Sequence, residues 1–277
     1  MIKVITDSSC DLPMEILEEN GIEMVPLKVT FEDGESFLDR EEISPQEFRE
    51  KMYWSKELPK TAAPDPNTFM EVFQRALSET GEVICVSISS GLSSTYQSAM
   101  LARDMLDTDK VKIVDSLAAS LGVGILALRA TELSRQGLPL ETVFRRMIDY
   151  RDNLKTIFTL DTLENVIKGG RLTKFQGLVG NILNIKPIFQ GVEGKIEVLE
   201  KVRGRRLALR RLTSLLGEMT QEIEDSIIGL SHMDCPGDVK QLKEEIERLY
   251  GPVRIIVADM GSTLGTYAGK GGIIMSF

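Results

Sequence analysis

Apolar and polar positions divide the chain into short runs of strand length and longer stretches with helical spacing. Ile2–Thr6 is a run of the first kind, and Pro13–Glu19 follows as a helix with Asp11 placed to cap it. Ile22–Phe31 reads as a second strand ending at the turn Glu32-Asp33-Gly34-Glu35. Ser44-Pro45-Gln46-Glu47 is a capping box with proline at the first helical position, which predicts a helix over Pro45–Trp54. Val83–Ile88 and Val111–Asp115 have the continuous apolar character of strands covered on both faces. A helix rich in small residues is expected over Leu117–Gln136. Strands alternating with helices in this way imply a parallel sheet with helices on both faces.

The pattern changes after about Tyr150. Thr156–Leu160 is a strand candidate, and a stretch rich in glycine and lysine runs from Lys168 to Gly180. Ile185–Gln190 and Lys195–Val202 flank Gly191-Val192-Glu193-Gly194 and predict a hairpin. A helix over Arg205–Ile223, a strand over Ser226–Ser231, a helix over Asp238–Leu249 and a strand over Val253–Ala258 follow. A glycine-rich passage from Gly261 to Gly272 leads to a last strand, Ile273–Phe277. Hairpins mixed with strand–helix units predict a mixed sheet. The reading is therefore an α/β protein of two domains, residues 1–155 with a parallel sheet and residues 156–277 with a mixed one. A length of 277 residues suits two moderate domains.

Charge narrows the partners. The chain carries 33 Lys and Arg against 42 Asp and Glu, a formal net charge of −9, and such a surface repels phosphate backbones. Nucleic acid is not expected as a partner. The densest basic stretch, Lys201 to Arg211, reads as a solvated helix face beside a turn. Cys10, Cys85 and Cys235 lie far apart with no C-x-x-C spacing, which argues against a zinc site or a disulfide framework and fits a reducing, cytoplasmic setting. The most apolar late stretch, Leu117 to Leu128, is shorter than the roughly 20 residues of a membrane span. A soluble protein without a metal is expected.

The chemistry concentrates at strand ends. Thr6-Asp7-Ser8-Ser9, Ser87 to Ser94 and Asp115-Ser116 each follow a predicted strand of the parallel sheet. Together they would line its carboxyl edge, where open α/β sheets bind ligands. In the middle segment Gly91 lets the backbone turn closely, and Ser93 or Ser94 opens a helix through Thr95-Tyr96-Gln97. Free N–H groups at a helix start, with hydroxyls beside them, suit a carboxylate or a phosphate; an ordinary serine cap is the plainer reading. No Gly-Lys-Ser/Thr closes this loop and no G-x-S-x-G elbow occurs in it. The single histidine, His232, follows a strand of the second half, so a serine hydrolase lacks an obvious base. Thr61, in the loop Lys60-Thr61-Ala62-Ala63-Pro64-Asp65, offers another hydroxyl, with Asp65 placed to cap the next helix.

These residues, taken in order, resemble the DegV family over essentially the whole chain. The resemblance rests on Thr6 to Pro13, Thr61 to Pro64, Ser87 to Ala99, Val114-Asp115-Ser116, Lys168-Gly169-Gly170-Arg171-Leu172 and Asn184-Ile185-Lys186-Pro187-Ile188. It implies a Rossmann-like, three-layer first domain and a smaller two-layer α/β second domain, with one long-chain fatty acid buried between them. It implies that Thr61 and Ser93 hydrogen-bond the carboxylate, with Ser94 beside them. No cofactor and no catalytic residue are implied. Some members of the family present the acid to a separate ATP-dependent kinase subunit that makes the acyl phosphate, and the arginine that serves docking there matches Arg203. Peripheral membrane contact is compatible with such a carrier. The chain departs from the family in its loop Thr61-Ala62-Ala63-Pro64-Asp65, where Thr-Ser-Gln-Pro-Ser is usual. It also departs at Tyr267-Ala268-Gly269-Lys270-Gly271, where His-x-Gly-Pro-Gly is usual. A tyrosine hydroxyl at 267 can donate a hydrogen bond to a carboxylate, but it lacks the proton exchange of imidazole near neutral pH.

Burying about fifteen methylenes at about 0.8 kcal/mol each is worth on the order of 12 kcal/mol before the costs of immobilisation. The tail would thus set affinity and the hydroxyls the orientation. Leu117-Ala118-Ala119, Ile125-Leu126 and Ile182-Leu183 are candidates to line its channel. Two other classes stay open at this point. One is a serine-dependent enzyme acting through Ser93 on an acyl or phosphorylated substrate; the other is an interaction protein that senses lipid.

Overall fold

The computed structural model describes residues 1–172, 184–220, 223–224 and 226–277. Strand β1 (Lys3–Asp7) leads through a single 3-10 turn into helix α1 (Met14–Asn20). Asp11 does not cap α1, which starts behind Pro13 with no side-chain cap; its carboxylate is committed elsewhere. The single strand expected over Ile22–Phe31 is two, β2 (Glu23–Val25) and β3 (Lys28–Thr30), in different sheets. Pro26 has no N–H to offer a ladder, and the Leu27 N–H donates to Ser8 Oγ, so pairing breaks between them.

β4 (Ser36–Leu38) pairs with β3 across the expected turn, and α2 (Pro45–Trp54) has the predicted bounds, its Ser44–Glu47 capping box formed in both directions. The loop containing Thr61 is instead a short strand, β5 (Lys60–Ala62), paired with β3 so that Thr61 sits opposite Val29. Asp65 caps α3 (Pro66–Thr80) by accepting from the Asn67 N–H at 2.8 Å. Then come β6 (Val83–Ser87), α4 (Thr95–Leu106), β7 (Val111–Asp115), α5 (Leu121–Arg135) and α6 (Leu140–Asn153). α5 begins four residues later than expected, because Leu117 and Ser120 both take positive φ and hold residues 117–120 out of the helix.

The later elements are β8 (Thr156–Thr159), α7 (Glu164–Lys168), β9 (Ile185–Val192), β10 (Lys195–Arg203), α8 (Arg205–Met219), β11 (Ile227–His232), α9 (Pro236–Tyr250), β12 (Arg254–Asp259), α10 (Ser262–Ala268) and β13 (Ile273–Ser276). α8 ends at Met219, earlier than the expected Ile223. The glycine-rich passage from Gly261, read as irregular, holds the helix α10.

Among the described residues the strands form three sheets. The first, in the order β2-β1-β6-β7, is parallel throughout; the second, β10-β9-β8-β13-β11-β12, is mixed; the third, β4-β3-β5, is small and antiparallel. The α/β class with a parallel and a mixed sheet is thus what the chain adopts, and the third sheet is an addition to it. α5 packs against β1 and β6 of the first sheet and against β11 and β13 of the second. One buried cluster accordingly runs from Val4, Ile84 and Val86 through Leu121 and Leu128 to Ile227 and Ile256. The second sheet buries its other face under α8 and α9, around Leu212, Leu216, Val239 and Ile246. No helix among the described residues is long and apolar enough to cross a membrane.

Candidate functional site

Parallel pairing of β1, β6 and β7 brings their carboxyl ends side by side, as the sequence predicts. Asp7, fully buried, accepts from Ser87 Oγ at 3.0 Å and from the Ile88 N–H at 2.8 Å, which fixes the loop after β6. Burial raises its pKa against these hydrogen bonds. At Gly91 an added Cβ would stand 2.5 Å from the Gly194 carbonyl oxygen, so only glycine allows the β9–β10 hairpin to close over this loop.

Under that hairpin lies a cavity of about 100 Å³, several times the roughly 10–15 Å³ that one water requires. Antiparallel register puts Thr156, Gly191 and Ile196 in one row across β8, β9 and β10. Phe158 and Ile274 stand in the next row. These side chains line the cavity with Leu27, Ile88, Leu92, Leu117, Ala118, Ala119, Leu160, Val166, Leu264 and Ala268. The wall is therefore mainly aliphatic and aromatic, drawn chiefly from the second sheet, α10 and the loops after β6 and before α5.

Polar groups gather where β5, α10 and the segment after α7 meet. Thr61 Oγ1 and the Tyr267 hydroxyl, 206 positions apart in sequence, stand 2.5 Å from each other on the cavity wall. The Arg171 guanidinium lies over the Tyr267 ring, 4.5 Å from its centre. Its Nε donates to the Leu92 carbonyl at 3.2 Å and its Nη1 to that of Gly169 at 2.6 Å, so one cation ties the Ser93 loop to Tyr267. Ser93 lines the same cavity; its hydroxyl is 2.8 Å from Thr95 Oγ1 and accepts from the Thr95 N–H at 3.3 Å. Lys195, Thr156 and Thr263 also line the cavity; two hydroxyls, a phenol and a guanidinium gathered at one place on a mainly apolar wall have the chemistry to receive an anionic head with an apolar tail.

Other expected residues stand elsewhere. Ser94 occupies the cap position of α4 without a side-chain cap bond, is exposed, and does not line the cavity. Ile125 and Leu126 pack into the core between the sheets instead of the channel, because α5 presents them beyond its first turn. Ile182 and Leu183 lie outside the described residues. Arg203 is exposed at the end of β10, away from the cavity wall. Sequence reasoning gave Arg171 no role; the signal was present in its position within Lys168 to Leu172, but nothing local revealed that it would fold over Tyr267. His232 is buried off the cavity, with Nδ1 3.6 Å from an Asp259 carboxylate oxygen, and burial lowers its pKa. No group of three or more His, Cys, Asp or Glu able to hold a metal ion occurs among the described residues.

Comparison with known proteins places the chain in a family. A family profile described as "Uncharacterised protein, DegV family" matches residues 1–277. The chain belongs to the DegV family. A DegV domain-containing protein of Caldanaerobacter subterraneus subsp. tengcongensis is 32% identical over 268 residues, 97% of this chain and 95% of that protein. Among solved structures, a fatty-acid-binding DegV family protein from Thermus thermophilus superposes with a TM-score of 0.92 at 31% identity, covering 100% of this chain and 99% of the other. The Streptococcus pneumoniae Fatty Acid Kinase (Fak) B3 protein, loaded with linoleic acid, superposes with a TM-score of 0.86 at 26% identity, covering 100% and 99%. The DegV fold is thus shared along the full chain, and these two relatives are proteins that bind fatty acids.

Proposed function

We propose that this protein binds one long-chain fatty acid. Its carboxylate lies against Thr61, Ser93 and Tyr267 beside Arg171, and its acyl chain runs along the second sheet under the β9–β10 hairpin. The observation that carries this reading is the cavity itself: a mainly apolar wall on which Thr61, Ser93, Tyr267 and Arg171 gather at one place, while the Thr156 and Thr263 hydroxyls are committed to Ser276 and Asp39 and Lys195 stands on the hairpin. In this reading residues 1–155 supply the two aliphatic hydroxyls and residues 156–277 cover the tail. The protein acts as a cytoplasmic, non-catalytic carrier that hands its ligand to an ATP-dependent kinase subunit docking near Arg203, and contact with a membrane is peripheral. The relative loaded with linoleic acid and named for a fatty acid kinase supports this role. A serine-dependent enzyme is disfavoured because the only histidine stands off the cavity wall, leaving Ser93 with no imidazole base.

Native mass spectrometry of protein purified from cells, followed by lipid extraction, tests the reading. The expected result is one bound fatty acid per chain, exchangeable for added palmitate with a Kd of about 1 μM or tighter. A protein that carries no fatty acid and ignores palmitate would end it.

A further inference from the structure

The loop that closes the cavity at Leu117 has unusual backbone, the helix that carries Tyr267 departs from extended backbone at Gly261, and both are held by the same residue. Leu117, Ala118 and Ala119 line the cavity, between Leu117 at φ 53° and Ser120 at φ 57° and ψ −143°. For residues with a side chain these are sparsely populated conformations, kept only where surrounding contacts over-determine them. Ser120 is fully buried, and its hydroxyl donates to Asp11 Oδ2 at 2.6 Å and lies 2.5 Å from Ser231 Oγ on β11. The other carboxylate oxygen of Asp11 accepts from the Gly261 N–H at 2.8 Å, the residue from which α10 departs. Asp11 is itself 1% exposed and in the left-handed region at φ 50°. Asp39 completes the hold on α10, accepting from the Ser262 N–H at 2.7 Å and from Thr263 Oγ1 at 2.7 Å.

The geometry points to Asp11 as a positioning residue for the lipid site, a single buried carboxylate that sets the Leu117–Ala119 wall and the Tyr267 helix relative to each other. It touches no ligand and acts through Ser120 on one side and Gly261 on the other. This deepens the reading of the cavity as a fatty-acid site and rests on it for the effect on affinity; the mechanical coupling stands independently of any ligand.

The test compares Asp11→Ala, Asp11→Asn and the control Ile246→Ala, which removes bulk from the buried face of α9 remote from the cavity. Asn keeps an acceptor for Gly261 and a donor for Ser120, so it should rescue. Hydrogen exchange is read on peptides spanning residues 115–122 and 260–268, together with the Kd for palmitate. In Asp11→Ala both segments are expected to lose protection together and palmitate to bind about tenfold more weakly. Asp11→Asn should stay within about threefold of the parent, and Ile246→Ala should lower the unfolding temperature while leaving both peptides and the Kd unchanged. If Asp11→Ala does not fold, Ser120→Ala, which cuts one arm only, should loosen residues 115–122 and not residues 260–268. Unchanged exchange at both segments in Asp11→Ala, or in Ser120→Ala at 115–122, overturns the inference. A parent that binds no palmitate overturns the fatty-acid reading alone, since the exchange data still decide the coupling.

Discussion

An ionised carboxylate in the interior costs free energy that hydrogen bonds only partly return. Burial pushes the Asp11 carboxyl up to about 7, against the lowering by Ser120, Gly261 and Arg40, and Asp39 pushes it further up. The unfolded chain loses this proton near pH 4, so between about pH 4 and 7 unfolding releases a proton and stability falls as pH rises. Asp7, also raised by burial, contributes in the same direction. Asp11→Asn removes one of the two titrations. The difference in unfolding free energy between parent and Asp11→Asn should therefore change by a few kcal/mol, on the order set by the shift, between pH 4.5 and about 7, and stay flat above. Denaturant titrations at half-unit pH steps measure this; parallel profiles for the two proteins would show that Asp11 does not titrate in that window.

At the scale of elements, the strands and helices with strong local signals were legible: the Ser44–Glu47 box fixed α2 to its predicted ends, and the β9–β10 hairpin followed from its glycine turn. What local pattern could not show was pairing across long separations. Residues 60–62 look like a loop because their strand character depends on β3, and α10 looks like a glycine-rich linker because its start is held by Asp11 and Asp39 from far away. Thr61 and Ser93 were readable as candidate hydroxyls. The Thr61–Tyr267 contact and the Arg171 bridge exist only once three sheets meet. Strand β9 also carries a testable detail. A Cβ on Gly191 would find nothing closer than 3.9 Å, so the strand leaves a vacant position in the cavity floor at its Leu117 end. Gly191→Leu fills that position and shortens the channel. Binding of an eighteen-carbon acid should weaken about tenfold while a twelve-carbon acid is held within about threefold, as competition assays would show. Equal losses for both lengths would place the tail elsewhere.

For the whole molecule, the proposed carrier role separates two surfaces. The cavity proposed for the lipid lies under the β9–β10 hairpin, whereas Arg203 stands exposed at the end of β10, with neighbouring Arg205 and Arg211 paired to Asp238 and to Glu200 and Glu218. A docking role for Arg203 predicts that Arg203→Glu abolishes capture of a fatty acid kinase subunit in a pull-down while the palmitate Kd stays within about twofold of the parent. Loss of both together would mean that the charge acts on the fold and not on a partner.

The order of strands in the mixed sheet has a consequence for how the protein is made. β13 lies between β8 and β11, so until residues 273–276 emerge from the ribosome the sheet is two unjoined pieces, and until residue 267 emerges Thr61 lacks its partner hydroxyl. In the fatty-acid reading a growing chain therefore has no completed pouch to load until residues 273–276 have joined the two pieces.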